Sequence, residues 1–206
     1  MVRYRGPRLR IIRRFGCELP GLTRKVTTRQ KPPGQHGDTK QRKGAFSDYK
    51  VRLFEKQKLR YNYGLTEKQL LNYVKKSRSK KGSTGFLLMQ LLEMRLDTII
   101  FRLGLAPTIP AARQFVNHGH VIVNDKRVNI PSFQCRPNDI ITILNKPGSK
   151  NLAEKSLAAP RFSSLPEHLE LDKKNLVAKI NDLVNRNDLS FKVNELLIVE
   201  YYSRII

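Results

Sequence analysis

The stretch AARQFVNHGHVIVNDKRVNI, Ala111 to Ile130, sets a short helix directly against a β-hairpin, and its reading decides the fold. At 100° per residue Ala112, Phe115, Val116 and Gly119 share one side of the helix, while Arg113, Gln114, Asn117 and His118 occupy the other. The apolar side packs and the polar side is offered outward, with no acid in the helix to balance it. Gly119 ends the helix and HVIV reads as a strand. Asn124 and Asp125 sit where a tight type I′ turn wants residues that tolerate positive φ, and KRVNI returns. After the turn-rich PSFQCRPND, IITI supplies another short strand.

Upstream, FLLMQLLEMRLDTIIFRLGLA from Phe86 reads as one long, largely apolar core helix, broken by Gly104 and Pro107. Pro110 opens the next helix. Gln90, Glu93 and Asp97 lie on one stripe of the long helix and Arg95, Thr98 and Arg102 on another; the two carboxylates read as partners for nearby Arg or Lys. Earlier still, Ser47 caps a helix reaching Asn62, in which Tyr49, Leu53 and Leu59 are apolar points in a dense basic surface, and Gly64 is its stop. Thr66 and Gln69 form a capping box for a helix whose buried stripe is Leu70, Tyr73 and Val74. That helix runs into KKSRSKKGSTG, a basic, glycine-ended loop.

Both ends of the chain are less regular. Up to about Ala45 the sequence is basic, punctuated by Pro and Gly, and aperiodic: an arm, irregular in isolation and ordered against a partner, with Tyr4, Leu9, Ile11, Ile12, Phe15 and Leu22 as docking points. From Asn145 to about Ser164 a Pro/Ser/Lys/Asn-rich linker is expected, then a strand at HLELD. Leu176, Val177, Ile180, Leu183 and Val184 follow at helical spacing, and Asn194 caps ELLIVEYYS, a helix apolar on nearly every side and therefore buried.

Charge narrows the function. The 206 residues carry a net charge of +23, and residues 1–60 hold 18 Lys and Arg against 4 Asp and Glu, whereas residues 121–206 hold 13 against 10. Self-repulsion on this scale calls for a polyanion, and nucleic acid releases counterions on supplying it. A membrane surface is disfavoured because residues 3–14 lack the wide apolar face of an interfacial helix. No apolar run approaches the roughly 20 residues of a membrane span, and MVRYRGPRLR lacks the apolar stretch of a signal peptide. Cys17 and Cys135 have no paired metal spacing and read as thiols in a reducing compartment.

Catalytic constellations are missing from the sequence. His118 and His120, the close pair among His36, His118, His120 and His168, straddle a helix end with no acidic or Cys partner to complete a zinc set, so neither metal nor cofactor is expected. No nucleophile elbow, phosphate loop or dinucleotide fingerprint occurs. RNA rather than DNA suits the donor-rich face of Arg113, Gln114, Asn117 and His118 beside a hairpin carrying Lys126 and Arg127, because folded RNA is recognised by backbone shape and 2′-hydroxyls. Tyr61 and Tyr63 either stack on bases or pack at a helix junction.

RLDTIIFRLGLAPTIPAARQFVNHGHVIVNDKRVNIPS resembles the RNA-binding module named after the fourth protein of the small ribosomal subunit, with Asp125 where its hairpin usually has Gly. The module alone is shared by pseudouridine synthases and some synthetases. The flanks RYRGP, PPGQHG, DYKVRLFEKQKLRYNYGLTEKQL, KGSTG and NELLIVEYYSR extend the resemblance to the whole S-four ribosomal protein family. LPGLTRK and IVEYYSR are similar to plastid and cyanobacterial members, with the plastid stroma favoured over a bacterial cytoplasm. A zinc-binding cysteine cluster found in some bacterial members has no counterpart here beyond Cys17.

The resemblance implies an α+β protein: a basic extended arm over residues 1–46, a helical domain over 47–92 completed by 174–206, and an inserted RNA-binding module over 93–150. The module's paired helices pack on a small, mostly antiparallel sheet, and 151–173 form a linker with an additional strand. It implies no enzyme but a primary binder of small-subunit ribosomal RNA, in its 5′ domain, that nucleates assembly of the subunit body. It also implies a role in decoding accuracy with the fifth and twelfth small-subunit proteins as neighbours, and no DNA, membrane or homo-oligomeric partner. On this reading Arg3, Arg5, Arg8, Arg10, Arg13, Arg14, Lys40, Arg42, Lys43, Lys50, Lys56, Lys58 and Arg60 neutralise phosphates. Arg95, Arg113, Gln114, Asn117, His118 and Lys126 read local RNA shape. An RNA-modifying enzyme tethered by the module would need a catalytic domain for which too little chain remains, and a free regulatory RNA binder would act away from ribosomes.

Overall fold

The computed structural model describes residues 4–29, 31–35, 37, 47–159, 165–189, 191 and 193–204. Along the chain it contains α1 (Arg8–Phe15), α2 (Asp48–Asn62), α3 (Glu67–Arg78), α4 (Thr84–Glu93), α5 (Leu96–Arg102), α6 (Ile109–Asn117), β1 (Val121–Val123), β2 (Lys126–Arg127) and β3 (Ile140–Ile143). There follow α7 (Pro147–Ala158), β4 (Leu169–Asp172), β5 (Val177–Ile180), a 3₁₀ turn at Arg186–Asp188 and α8 (Glu195–Ser203). The class is α+β, as expected. The chain divides into two compact units, Met1–Gly85 with Phe191–Ile206, and Phe86–Ser190.

In the first unit the arm contains a helix that the sequence reading took as irregular. Pro7 precedes α1, and Gly16, at φ 62°, ends it with its N–H on the Ile12 carbonyl. Ile11 and Ile12 are buried, and the Phe15 ring meets Phe54 edge-on at 4.6 Å. The apolar pairs Leu9/Ile12 and Ile11/Phe15 have helical spacing, a period hidden among four arginines. α2 and α3 are capped as expected, by Ser47 and by the reciprocal Thr66–Gln69 box. α8 packs on α2 and α3, the partner region anticipated for it. It is not buried all round, however: Ile198 and Tyr202 face inward while Leu196 is 70% exposed.

The second unit corrects four expectations. The long helix from Phe86 is two helices, α4 and α5, because Arg95 is extended (φ −78°, ψ 142°) and bridges to Gln134. The first N–H groups of α5 are satisfied by the 131–133 loop, Leu96 donating to the Phe133 carbonyl at 2.9 Å and Asp97 to that of Pro131 at 3.1 Å. The expected linker after Asn145 contains α7, opened by Pro147 in the first turn and docked through buried Ala153; residues 160–164 lie outside the described residues. The segment from Leu176, expected helical, is strand β5: Leu176 takes φ 55° in the turn, and Ala178 and Ile180 alternate inward. It therefore belongs to the sheet, and the part of the C-terminal region that joins the helical unit starts at Phe191 rather than at residue 174.

The sheet runs β2-β1-β3-β5-β4 and is antiparallel throughout. The β1–β2 turn is the anticipated two-residue one, with Asn124 at φ 46° and Asp125 at φ 64° between the Val123–Lys126 pair. Asn124 also ties the turn to β3, donating to Asp139 at 2.8 Å and accepting from the Ile140 N–H at 2.9 Å. The inner face of the sheet, with Val121, Val123, Ile141, Ile143, Ala178 and Ile180, joins Leu96, Ile99, Ile100, Phe115 and Val116 of α5 and α6 in one apolar core.

His168, buried at the start of β4, has its Nδ1 3.5 Å from Asp188 Oδ2 in the 3₁₀ turn. Burial lowers its pKa from the ordinary histidine value; Asp188 and Glu93 pull it up and Arg102 pushes it down further. The unfolded chain therefore takes up the proton first as pH falls below about 6.5, and His168 makes stability decline on acidification until its folded-state pKa is passed. Thermal unfolding between pH 7.5 and 5.5 should show Tm falling with pH in the native chain and a shallower fall in His168→Gln. Equal slopes would refute this role.

Candidate nucleic-acid interface

The polar side of α6 has its acid in a neighbouring helix. Asp97, 0% exposed in the first turn of α5, accepts from Arg95 Nε at 2.9 Å and Nη2 at 2.7 Å and from Arg113 Nε at 2.9 Å. Arg95 is 1% exposed and Arg113 8%. Both were expected to touch RNA; both are instead turned inward, because an Arg–Asp–Arg cluster satisfies guanidinium donors that the core would otherwise leave unpaired. Glu93 and Arg102 form a second buried pair, at 2.9 and 2.5 Å. The two carboxylates thus have the structural role anticipated for them. Asp97 as the organising group of α6 was not legible, since its partner Arg113 lies 16 residues away. The available signal was an acid placed inside an otherwise apolar run.

With Arg113 anchored, α6 presents Gln114, Asn117 and His118, all exposed, at its C-terminal half. Arg127 in β2 closes that end of the helix, its Nε donating to the Gly119 carbonyl at 2.9 Å and its Nη2 to that of His118 at 3.2 Å, a cation at the negative end of the helix dipole. Gly119 is required there: its φ is 71°, and a Cβ would lie 2.2 Å from Arg127 Nη2. His120 stacks on Phe115 (centroids 4.9 Å apart) and shares a 2.9 Å hydrogen bond with the buried Ser149 hydroxyl at the start of α7. Burial lowers its pKa, and His118, Arg127 and Lys146 add to the effect. Lys126, exposed in the hairpin, completes an outward set of donors carried on packed elements.

The first unit sorts its cations similarly. Arg5, Arg10, Arg14 and Lys50 are exposed. Arg8 and Arg13 are partly committed inside the arm, Arg8 donating to the Leu22 carbonyl and Arg13 to those of Lys31 and Pro32. Lys56 is no surface group: it is 3% exposed, 2.8 Å from Glu67 and 4.7 Å above the Tyr201 ring. Burial pushes the Glu67 carboxyl up, but hydrogen bonds from Lys56 and Tyr202 outweigh this and hold it below its ordinary value. Lys58 pairs with Glu55, and Arg60 lies over the Tyr61 ring. Tyr63 is buried against Phe191 and Tyr61 receives Tyr4 and Phe15, so these tyrosines pack at a helix junction. Arg3, Lys40, Arg42 and Lys43, with His36, lie outside the described residues.

Among the described residues no three His, Cys, Asp or Glu side chains gather as a metal site would, and no helix is long and apolar enough to cross a membrane.

Residues 3–93 match the family model described as the ribosomal protein S4/S9 N-terminal domain, and residues 94–141 match the S4 domain. Small ribosomal subunit protein uS4 of a Cyanothece strain is 62% identical over 206 residues, covering 99% of both chains. The chain belongs to the uS4 family. Two further uS4 relatives, named uS4c, come from Rhodomonas salina, 61% identical, and Cyanophora paradoxa, 60% identical, each across at least 99% of both chains. The S4-domain match ends within β3, and the sheet of this uS4 chain continues beyond it through β5 to β4.

Asp97→Asn removes the charge opposing two buried guanidinium groups and should cost about 3–5 kcal/mol in chemical denaturation, the range for breaking a buried ion pair from one side. Gln114→Ala, on the exposed face of the same module, should change stability by less than about 0.5 kcal/mol. Similar losses for both variants would show that Asp97 does not organise α6.

Proposed function

We propose that this chain is a structural protein of the small ribosomal subunit that binds the subunit's RNA directly. The observation that carries the reading is the division between cations locked into the protein at Arg95, Arg102 and Arg113 and the polar set Gln114, Asn117, His118 and Lys126 left outward beside them. The set offers amide, imidazole and ammonium donors at fixed spacing, suited to phosphates and 2′-hydroxyls of folded RNA. Exposed Arg5, Arg10, Arg14 and Lys50 supply sequence-independent attraction. The names of the relatives, proteins of the small ribosomal subunit, support the same reading.

Its finer content is as follows. The RNA bound is the 5′ domain of the small-subunit ribosomal RNA, and binding there nucleates the body of the subunit. The protein contributes to decoding accuracy beside the fifth and twelfth small-subunit proteins. The ribosome is that of a plastid, with a cyanobacterial cytoplasm as the alternative; relatives of both kinds support a ribosomal location equally.

A salt-titrated binding assay on the 5′-domain RNA, with a scrambled RNA of equal length as control, tests this reading. The expected result is a steep decline of log Kobs with log salt on both RNAs and a clear preference for the ribosomal one. Lys126→Gln should lower the salt slope by about one, while Asn117→Ala should erode the preference and leave the slope in place. Equal wild-type affinity for the two RNAs would reduce the protein to nonspecific glue and overturn the proposal.

A further inference from the structure

Arg127 is the cation that charge alone would assign to a phosphate: it is exposed, follows Lys126 in the hairpin and belongs to a chain of net charge +23. The fold uses its guanidinium on the protein instead. Nε donates to the Gly119 carbonyl at 2.9 Å and Nη2 to that of His118 at 3.2 Å. A cation beside a helix C-terminus ordinarily completes the helix by meeting its last carbonyls. α6 is closed by other means. The Gly119 N–H donates to the Val116 carbonyl at 2.8 Å and the His120 N–H to that of Phe115 at 3.3 Å, the bond pair of a Schellman closure, with Gly119 at φ 71°. The two carbonyls that Arg127 takes lie beyond Asn117, the last residue of α6. Arg127 therefore grips the connection between α6 and β1 rather than the helix itself.

We propose that Arg127 is a positioning residue for RNA selectivity, holding the hairpin in one fixed relation to the end of α6, and that it is not a phosphate ligand. The choice of RNA rests on the function proposed above; the clasp itself does not. β2 is an edge strand of two residues, joined to β1 by the pairs Ile122–Arg127 and Val123–Lys126 and by the Val128 N–H on the Val121 carbonyl. Successive strand residues send their side chains to opposite faces, so Lys126 stands in solvent while Arg127 turns back across β1 to the helix end. A planar guanidinium with N–H groups on two successive carbonyls fixes orientation as well as distance, which a single ammonium does not. Asp97 orients α6 through Arg113, and Arg127 relates the hairpin to it. Donors carried on two separate segments, Asn117 and His118 on one and Lys126 on the other, thereby keep a single spacing.

The test compares the full chain with Arg127→Lys, Arg127→Gln, Asn117→Ala and Asn117→Ala/Arg127→Gln; Arg127→Lys keeps the charge and loses the fork. Amide hydrogen exchange is measured by NMR on the free protein, and binding is followed against salt on the 5′-domain and scrambled RNAs. In both single variants at Arg127 the Gly119, His120 and Val128 amides should exchange at least about fivefold faster, while that of Leu103, at the end of α5, keeps its native rate. Preference for the 5′-domain RNA should fall about fivefold or more in both, with the salt slope retained to within about half a unit. In the Asn117→Ala background Arg127→Gln should add less than about twofold, because the two residues serve one contact. A slope lowered by about one in Arg127→Gln and restored in Arg127→Lys would make Arg127 a phosphate ligand and overturn the proposal. Native exchange rates at Gly119, His120 and Val128, exchange raised equally at Leu103, or a fully additive loss in the double variant would overturn it as well. Equal affinity of the native chain for the two RNAs would instead sink the function proposed above, and the exchange rates would still decide whether Arg127 holds the hairpin.

Discussion

The buried carboxylate of Asp97 is the constraint on which the arrangement of α5 and α6 depends. Three chain segments converge on it: its own helix α5, the extended residue Arg95 that separates α4 from α5, and α6 through Arg113. A carboxylate with no exposure is tolerable in an apolar core only with its lone pairs engaged, and two guanidinium groups engage them with fixed, directional geometry. Rotating α6 about its axis, or sliding it along α5, would break the Arg113–Asp97 bond. The positions of Gln114, Asn117 and His118 in space are thus consequences of an ion cluster none of them touches.

The helix break at Met94 and Arg95, beside this cluster, carries no local signal. LLEMRLDTII contains no Gly or Pro to break a helix, and what stops α4 is tertiary: the 131–135 loop supplies carbonyls to Leu96 and Asp97 and a bridge to Arg95. Nothing in residues 86–102 alone encodes that partner. The β1–β2 turn was legible for the opposite reason, since Asn124 and Asp125 tolerate positive φ and fix a two-residue hairpin by themselves. Ser47 and the Thr66–Gln69 box were legible too, because capping is a contact between near neighbours.

Elsewhere one residue spacing serves two structures. Leu176, Val177 and Ile180 fit a helical stripe, but they equally describe a strand with a buried turn residue ahead of it, and pairing with β3 decides for the strand. At α7 the opening Pro147, Gly148 and Ser149 have linker composition, and only Ala153, Ser156 and Leu157 further on carry the helical period. For Arg113 the helical wheel was right about the side of the helix and silent about what lay against it. A wheel treats one helix as though water surrounded it, and a polar side can face another helix's carboxylate instead.

Net charge therefore overstates what this protein offers its RNA. Of the cations named from sequence, Lys56, Arg95 and Arg113 are buried in ion pairs, and Arg8 and Arg13 hold backbone carbonyls of the arm. Cations used in this way fix where other groups stand, and mutating them disturbs the fold before it disturbs binding. Those left at the surface act through counterion release, which gives affinity and salt dependence with little discrimination. Under the proposed function, selectivity falls to uncharged donors such as Gln114 and Asn117, whose hydrogen bonds are short in range and useful only if spacing is held. Part of this chain's charge is turned inward, where Arg113 on Asp97 holds the helix that carries those neutral groups.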